Sequence, residues 1–127
     1  EFISAAALGF PHGPTTASAP HKPFDELPLK APYGAAAGQL LTCCAASATP
    51  EEARQRRESF PGAVAEDMEG FGVALACQLG GVQLAIVRGI SNEVGNRQIE
   101  RWQISEALDA AWVLANRLIR EPSWTRQ

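Results

Sequence analysis

The sequence predicts an α/β fold, because two apolar runs are separated by two helical patterns. The first run, residues 40–46, is short and continuously apolar, as expected of a strand covered on both faces. The second run, residues 82–87, is rich in branched side chains and predicts another buried strand. The order strand, helix, helix, strand implies right-handed crossovers and therefore a parallel sheet.

The first two helices carry sequence signals at their ends. Thr49 is a candidate N-cap, with Pro50 at the first helical position and Glu52 placed to close a capping box. The second helix is expected to begin near residues 66–67, whose carboxylates suit the positive end of a helix dipole. Its predicted apolar face consists of Met68, Phe71, Leu75 and Leu79, and Gly80 and Gly81 end it.

A third helix is predicted from residue 103 or 105 to residue 120, with Pro122 beyond its end. One stripe of this helix is apolar: Ile104, Ala107, Leu108, Ala111, Leu114, Ala115 and Leu118. By contrast, residues 10–38 contain six prolines and three glycines and predict a long loop. His12 and His21 lie in this loop and are interpreted as loop residues rather than catalytic bases.

Composition indicates a globular protein and excludes several function classes. The chain has 127 residues, 46% of them hydrophobic, and a net charge of −3, which offers no electrostatic footprint for nucleic acid. Arginines at 54, 56 and 57 are flanked by glutamates at 51, 52 and 58 and predict a solvated helix face. The three cysteines lack metal or disulfide spacing and predict buried free thiols, hence a cytoplasmic protein. We expect no metal, no cofactor and no membrane span.

The candidate chemistry lies in two short segments. Ligands of open parallel sheets bind beyond the carboxyl ends of the strands, which points to Met68 and Glu69 and to Ser91 and Asn92. The residues alone leave other interpretations open, since Glu69 suits a helix dipole and Asn92 suits a turn or cap. Arg88 could contact a ligand or pair with a nearby carboxylate.

Three motifs taken together resemble the nucleoside phosphorylase/nucleosidase family: residues 66–70 (EDMEG), 80–82 (GGV) and 87–92 (VRGISN). Residues 92–97 (NEVGNR), Trp102 and residues 106–108 are most similar to the futalosine hydrolases of that family. The resemblance implies that residues 1–127 are the C-terminal part of a single nucleosidase-like domain, a three-layer fold with a mostly parallel central sheet. The start at Glu1 fits a chain whose N-terminal portion is absent.

The resemblance also implies roles for individual residues. Met68 would lie against the ribosyl ring, and Glu69 would accept hydrogen bonds from its hydroxyls. Asn92 stands where adenine-specific relatives carry aspartate, and its amide can donate to O6 and accept from N7–H of a 6-oxopurine. Asn92 would therefore be catalytic, with Ser91 orienting its loop and Arg88 counted among the substrate-binding residues. Arg97 and Trp102 would shape the pocket or cap the last helix.

The function implied by this resemblance is hydrolysis of the N-glycosidic bond of futalosine, with release of hypoxanthine, in menaquinone biosynthesis. Two alternatives remain open: a purine nucleoside phosphorylase acting on 6-oxopurine nucleosides, and a non-catalytic fragment or binding subunit. The expected partner is a small-molecule nucleoside, and because family members usually pair subunits across the pocket, a homo-oligomer is expected. The residue that activates water is expected upstream of Glu1.

Overall fold

The computed structural model describes residue 3, residue 5 and residues 7–9, 26–29 and 36–122. It contains two strands, β1 (Gln39–Thr42) and β2 (Ala63–Asp67), and three helices, α1 (Pro50–Ser59), α2 (Gly70–Leu79) and α3 (Ile104–Ile119). A short 3-10 helix, Ile99–Arg101, precedes α3. Of the loop predicted over residues 10–38, the described parts form neither helix nor strand, and the remainder, with both histidines, lies outside the described residues.

The two strands form a parallel pair, which confirms the α/β class. Leu41 lies beside Glu66 and Thr42 beside Asp67, and the Cys43 amide extends the ladder by donating to the Asp67 carbonyl at 2.8 Å. Parallel neighbours require a crossover, and here α1 supplies it. The carboxyl ends of both strands therefore lie at one edge of the sheet, directly before α2.

The helix ends follow the expected signals, with one shift. The Thr49 hydroxyl accepts from the Glu52 amide at 3.2 Å, while the Glu52 carboxylate accepts from Ala48, one residue before the usual capping-box position. At the end of α2, Gly81 has φ +68 and the Val82 amide donates to the Cys77 carbonyl at 2.8 Å. That bond is the Schellman arrangement that terminates a helix.

Two element predictions were wrong, and the first predicted strand, residues 40–46, ends early, at Thr42. Residues 66–67 end strand β2, and α2 begins at Gly70, because tertiary partners of both carboxylates outweigh their low strand propensity. Residues 82–87 do not form a strand, since a strand needs a neighbour to pair its amides and carbonyls, and the described residues supply no ladder there.

The core of the described part is small. Cys43, Ala74, Ala107 and Leu118 are its buried hydrophobic residues, and Ser47 is fully buried. The stripe predicted for α3 is buried or half-buried except at Ile104 and Leu108, which are exposed. On α2, Phe71 and Leu75 are half-buried, while Met68 and Leu79 are exposed. No helix among these residues is long and apolar enough to cross a membrane.

Candidate functional site

Met68 and Glu69 form the link between β2 and α2, beyond the carboxyl end of the parallel strands. Both side chains are exposed, Met68 by 52%. Glu69 occupies the N-cap position of α2, but its side chain makes no capping hydrogen bond. Its carboxylate is therefore not committed to the helix that it precedes, and it can accept hydrogen bonds from a ligand at this edge.

Asp67 is the centre of a hydrogen-bond network at the same edge. Its carboxylate accepts from the Thr42 hydroxyl at 2.8 Å and from the Gly70 amide at 3.0 Å, and it forms an ion pair with Arg88. The Thr42 hydroxyl in turn accepts from the Phe71 amide at 2.9 Å. Two amides of the first turn of α2, which lack partners within the helix, are thus satisfied by side chains.

Asn92 is half-buried and held by its own loop. Its Oδ1 accepts from the Ser91 hydroxyl at 2.7 Å, and its Nδ2 donates to the carbonyls of Glu93 at 3.0 Å and Asn96 at 3.3 Å. An amide oxygen can accept two hydrogen bonds, so Oδ1 keeps capacity for one further donor. Nδ2 would have to give up a loop carbonyl, and the longer bond to Asn96 is the weaker of the two.

The loop that carries Asn92, residues 88–98, is called the asparagine loop, and it packs closely against α3 and the start of α1. A Cβ on Gly89 would overlap the Ala107 carbonyl of α3, and a Cβ on Gly95 would lie 2.6 Å from the Thr49 carbonyl before α1. Gly95 also has φ +85, a conformation that favours glycine. The Gln103 amide donates to the Ser91 carbonyl at 2.7 Å. These contacts fix the backbone on either side of Asn92.

A shallow groove of about 300 Å³ lies beside this loop. The indole N–H of Trp102 donates to the Asn96 carbonyl at 3.2 Å, and the Arg97 guanidinium lies 5.5 Å from the Trp102 ring centre. Trp102 lines this groove, and whether it shapes the substrate pocket or caps α3 stays a prediction. The groove is lined by Gly89, Ser91, Trp102, Ile104, Ala107 and Leu108.

An ion pair links the two candidate segments. Arg88, four residues before Asn92, pairs with Asp67, which lies two residues before Glu69. Of the five predicted site residues, only Ser91 lines the groove, and no hydrogen bond joins Glu69 to Asn92 in the described part. Within that part, no three His, Cys, Asp or Glu side chains cluster in a way that could hold a metal ion.

Sequence reasoning missed Asp67 and Thr42 as members of this site. Asp67 was assigned to a helix start, although an Asp three residues before a glycine that opens an apolar helix is also a capping pattern. Thr42 carries no sequence signal beyond its place at the end of an apolar run. Its role depends on the register that sets it beside Asp67, and that register is tertiary information.

A family model described as the Phosphorylase superfamily matches residues 26–120, and the chain belongs to this superfamily. Three curated proteins similar to the chain are each named futalosine hydrolase. No solved structure matches it significantly.

The similarity to these relatives is substantial but covers only part of them. The protein from Streptomyces coelicolor is 40% identical over 86% of this chain and 45% of its own length. The protein from Acidothermus cellulolyticus is 44% identical over 56% of the chain and 29% of its own length. The protein from Thermus thermophilus is 39% identical over 68% of the chain and 38% of its own length. The chain thus spans less than half the length of the curated relatives it matches, and the resemblance noted in the sequence is confirmed.

Proposed function

We propose that this chain contributes the ribose-binding and base-binding part of an enzyme that hydrolyses the N-glycosidic bond of futalosine and releases hypoxanthine, a step of menaquinone biosynthesis. The observation that carries the proposal is the amide at position 92. It is half-buried, fixed on both sides by its loop, and retains one free acceptor position on Oδ1. The names of the three similar curated proteins support the choice of futalosine.

The chemistry follows from the charge that develops when a purine leaves. Electron density moves onto the base and N7 gains a proton, so groups that stabilise the departing base lower the barrier. Asn92 accepts the new N7–H on Oδ1 and donates to O6 from Nδ2, which exchanges the long bond to Asn96 for one to the ligand. An aspartate there could not donate to O6.

The sugar is held on the other segment. Glu69 accepts from the ribose hydroxyls, and Met68 covers one face of the sugar ring. The same carboxylate lies close to the ribosyl carbon, where positive charge develops, and favours it electrostatically. Water is the nucleophile: its oxygen bonds to the ribosyl carbon as the bond to the base breaks, and the proton that it loses balances the one that N7 takes up from solvent. Ser91 orients the Asn92 amide through its hydroxyl.

A purine nucleoside phosphorylase is the second candidate, because an amide at position 92 suits any 6-oxopurine nucleoside. Phosphate separates the two functions. The full-length protein is incubated with futalosine and with inosine, with and without phosphate, while hypoxanthine is measured by chromatography. Release from futalosine that does not depend on phosphate supports the hydrolase, whereas phosphate-dependent formation of a sugar phosphate supports the phosphorylase. Release from neither nucleoside defeats both.

Glu69→Gln tests the sugar contact in the same assay. Loss of two charge-assisted hydrogen bonds is expected to lower kcat/KM by about 10- to 100-fold, since such bonds contribute about 1.5–3 kcal/mol each and the amide retains part of this. Glu100→Gln is the matched control, because it makes the same chemical change outside the proposed site, at an exposed position of the short 3-10 helix. Equal activities of the two variants would show that Glu69 does not bind the sugar.

We also propose that the protein works in the cytoplasm as a homo-oligomer. The three cysteines, all free in the structure, support a reducing compartment. Sedimentation of the purified protein tests the oligomeric state.

A further inference from the structure

One buried carboxylate connects the two proposed half-sites. The Asp67 side chain is only 8% exposed, and it bonds at once to β1 through Thr42, to α2 through Gly70 and to the asparagine loop through Arg88. The pair is asymmetric, since the Arg88 side chain is 41% exposed. A carboxylate buried to this degree needs its cationic partner, so the pair resists separation.

The positions of these bonds along the chain decide what they control. Gly70 directly follows Glu69, so the bond from its amide to Asp67 orients the turn that displays the Glu69 carboxylate. Arg88 directly precedes Gly89, which packs on α3 at the start of the Asn92 loop. Asp67 is therefore bonded to a neighbour of Glu69 and to the start of the asparagine loop. Its side chain does not hydrogen-bond to Glu69 or to Asn92 themselves.

We propose that Asp67 is a positioning residue that sets the separation of Glu69 and Asn92, and that Arg88 acts through Asp67 instead of touching the nucleoside. The inference rests on the proposed function. Cleavage needs the sugar and the base to be held at one fixed distance while the bond between them lengthens. Errors of about 1 Å in such placements cost about 100-fold in rate, so a single anchor shared by both segments has direct catalytic value.

A double-variant cycle separates this role from direct ligand contact. Asp67→Asn and Arg88→Met are made singly and together, and kcat and KM for futalosine are measured in the full-length protein. Each single change is expected to lower kcat by about 10- to 100-fold, with a much smaller change in KM, because alignment is lost in the transition state. In the Asp67→Asn background, Arg88→Met should lower kcat no further. An equal loss from Arg88→Met in both backgrounds would show that Arg88 contacts the substrate and would overturn the proposal.

Hydrogen exchange gives a readout that does not depend on catalysis. Asp67→Asn should speed amide exchange in residues 69–72 and in residues 88–92 together, because both segments lose the same anchor. Glu51→Gln, the matched control, removes an exposed ion pair of α1 with Arg54 and should change neither segment. Unchanged exchange in residues 88–92 of Asp67→Asn would overturn the shared anchor. If the wild type cleaves no nucleoside, the proposed function fails, while the exchange data still decide whether Asp67 couples the two segments.

Discussion

At position 92 the choice between an amide and a carboxylate affects both the loop and the ligand. The amide nitrogen donates to two carbonyls of the loop, those of Glu93 and Asn96, and a carboxylate could donate to neither. The same nitrogen is the group proposed to donate to O6 of the base. In the proposed reaction, selection of the base and rigidity of the loop would therefore be linked through one side chain.

Asn92→Asp is expected to lower kcat/KM for futalosine by about 100-fold or more, because an ionised carboxylate repels O6 instead of donating to it. It should also destabilise the protein by about 1–3 kcal/mol, since two loop carbonyls lose their donor and face a negative charge. Hypoxanthine release and urea unfolding measure the two effects. Asn116→Asp is the control, because the Asn116 amide also donates to a backbone carbonyl, that of Trp112 at 2.9 Å, but on α3. A similar loss of activity in both variants would contradict the assignment of Asn92.

The adjacent cysteines 43 and 44 differ in burial, and we expect them to differ in reactivity. All three cysteines were predicted to be buried. This is correct for Cys43, wrong for Cys44, which is exposed, and only partly correct for Cys77, which is half-buried. Burial raises the pKa of the Cys43 thiol; the carboxylates of Glu66 and Asp67 add to the rise, and Arg56 opposes it. At pH 8, Cys43 therefore carries less of the reactive thiolate than a free cysteine does.

Iodoacetamide at pH 8 is expected to label Cys44 first and to label Cys43 only on unfolding, as peptide mass spectrometry would show. A raised pKa also predicts the sign of a stability change. Above the ordinary thiol pKa of about 8.5 the unfolded chain loses this proton while the folded chain keeps it, so stability falls as the pH rises through that range. The variant Cys43→Ser provides the check: its free energy of unfolding should fall less steeply with rising pH in this range than that of the wild type. Equal labelling of both cysteines in the folded protein would refute the difference.

At the scale of elements, the sequence predicted those that carry their own signals. Helix α1 begins at Pro50 behind Thr49, and α3 runs over Ile104–Ile119, close to the predicted bounds, because caps and a long apolar stripe are local features. Strand β2 was missed because its acidic end is stabilised by distant partners, Ser47, Arg56 and Thr42. Residues 82–87 were predicted as a strand from their branched side chains, but pairing depends on a neighbour that periodicity cannot reveal.

In the candidate site, too, local sequence motifs could be recognised, whereas contacts between distant residues could not. The family motifs located Met68, Glu69, Ser91 and Asn92, and whether these residues act as proposed stays a prediction. The ion pair of Arg88 with Asp67 was one of two interpretations left open, and the structure shows that the pair forms. The network through Asp67 could not be predicted, since it depends on the register of β1 against β2 and on the path of the asparagine loop.

The contact of that loop with α3 can be tested at Gly89. Gly89→Ala places a Cβ against the Ala107 carbonyl, a backbone atom that cannot move without shifting α3. We expect a loss of about 1–3 kcal/mol in the free energy of unfolding. Gly72→Ala is the control: a Cβ there meets nothing within 4 Å, and alanine inside α2 should stabilise the protein by about 0.5–1 kcal/mol. Opposite signs in urea unfolding are expected, and a neutral Gly89→Ala would show that the loop does not pack on α3 as described.

At the scale of the whole molecule, polar contacts contribute much of what joins the elements of the described part. Its buried apolar core is small, and large side chains of α3 such as Leu108 and Trp112 are 65% and 70% exposed. The turn after β1, strand β2 and helix α1 instead meet at Glu66. The Glu66 carboxylate accepts from the Ser47 amide at 2.6 Å and from the Ser47 hydroxyl at 2.9 Å. It also forms an ion pair with Arg56 at 2.8 Å. The prediction of a fully solvated arginine face on α1 was therefore wrong for Arg56.

The Glu66 cluster can be weighed against a surface ion pair of the same helix. The side chains of Glu66 and Arg56 are 11% and 17% exposed, so Glu66→Gln removes a poorly solvated negative charge from beside the Arg56 guanidinium. The expected loss is about 3 kcal/mol in urea unfolding. Glu58→Gln makes the identical change in the pair with Arg54, whose side chains are 63% and 51% exposed, and should alter stability by less than about 0.5 kcal/mol. The difference between the two variants measures what the buried pair contributes together with the two hydrogen bonds that Ser47 donates to Glu66. If both variants unfold at the same urea concentration as the wild type, the cluster does not hold α1 on the sheet, and apolar contacts must account for that attachment.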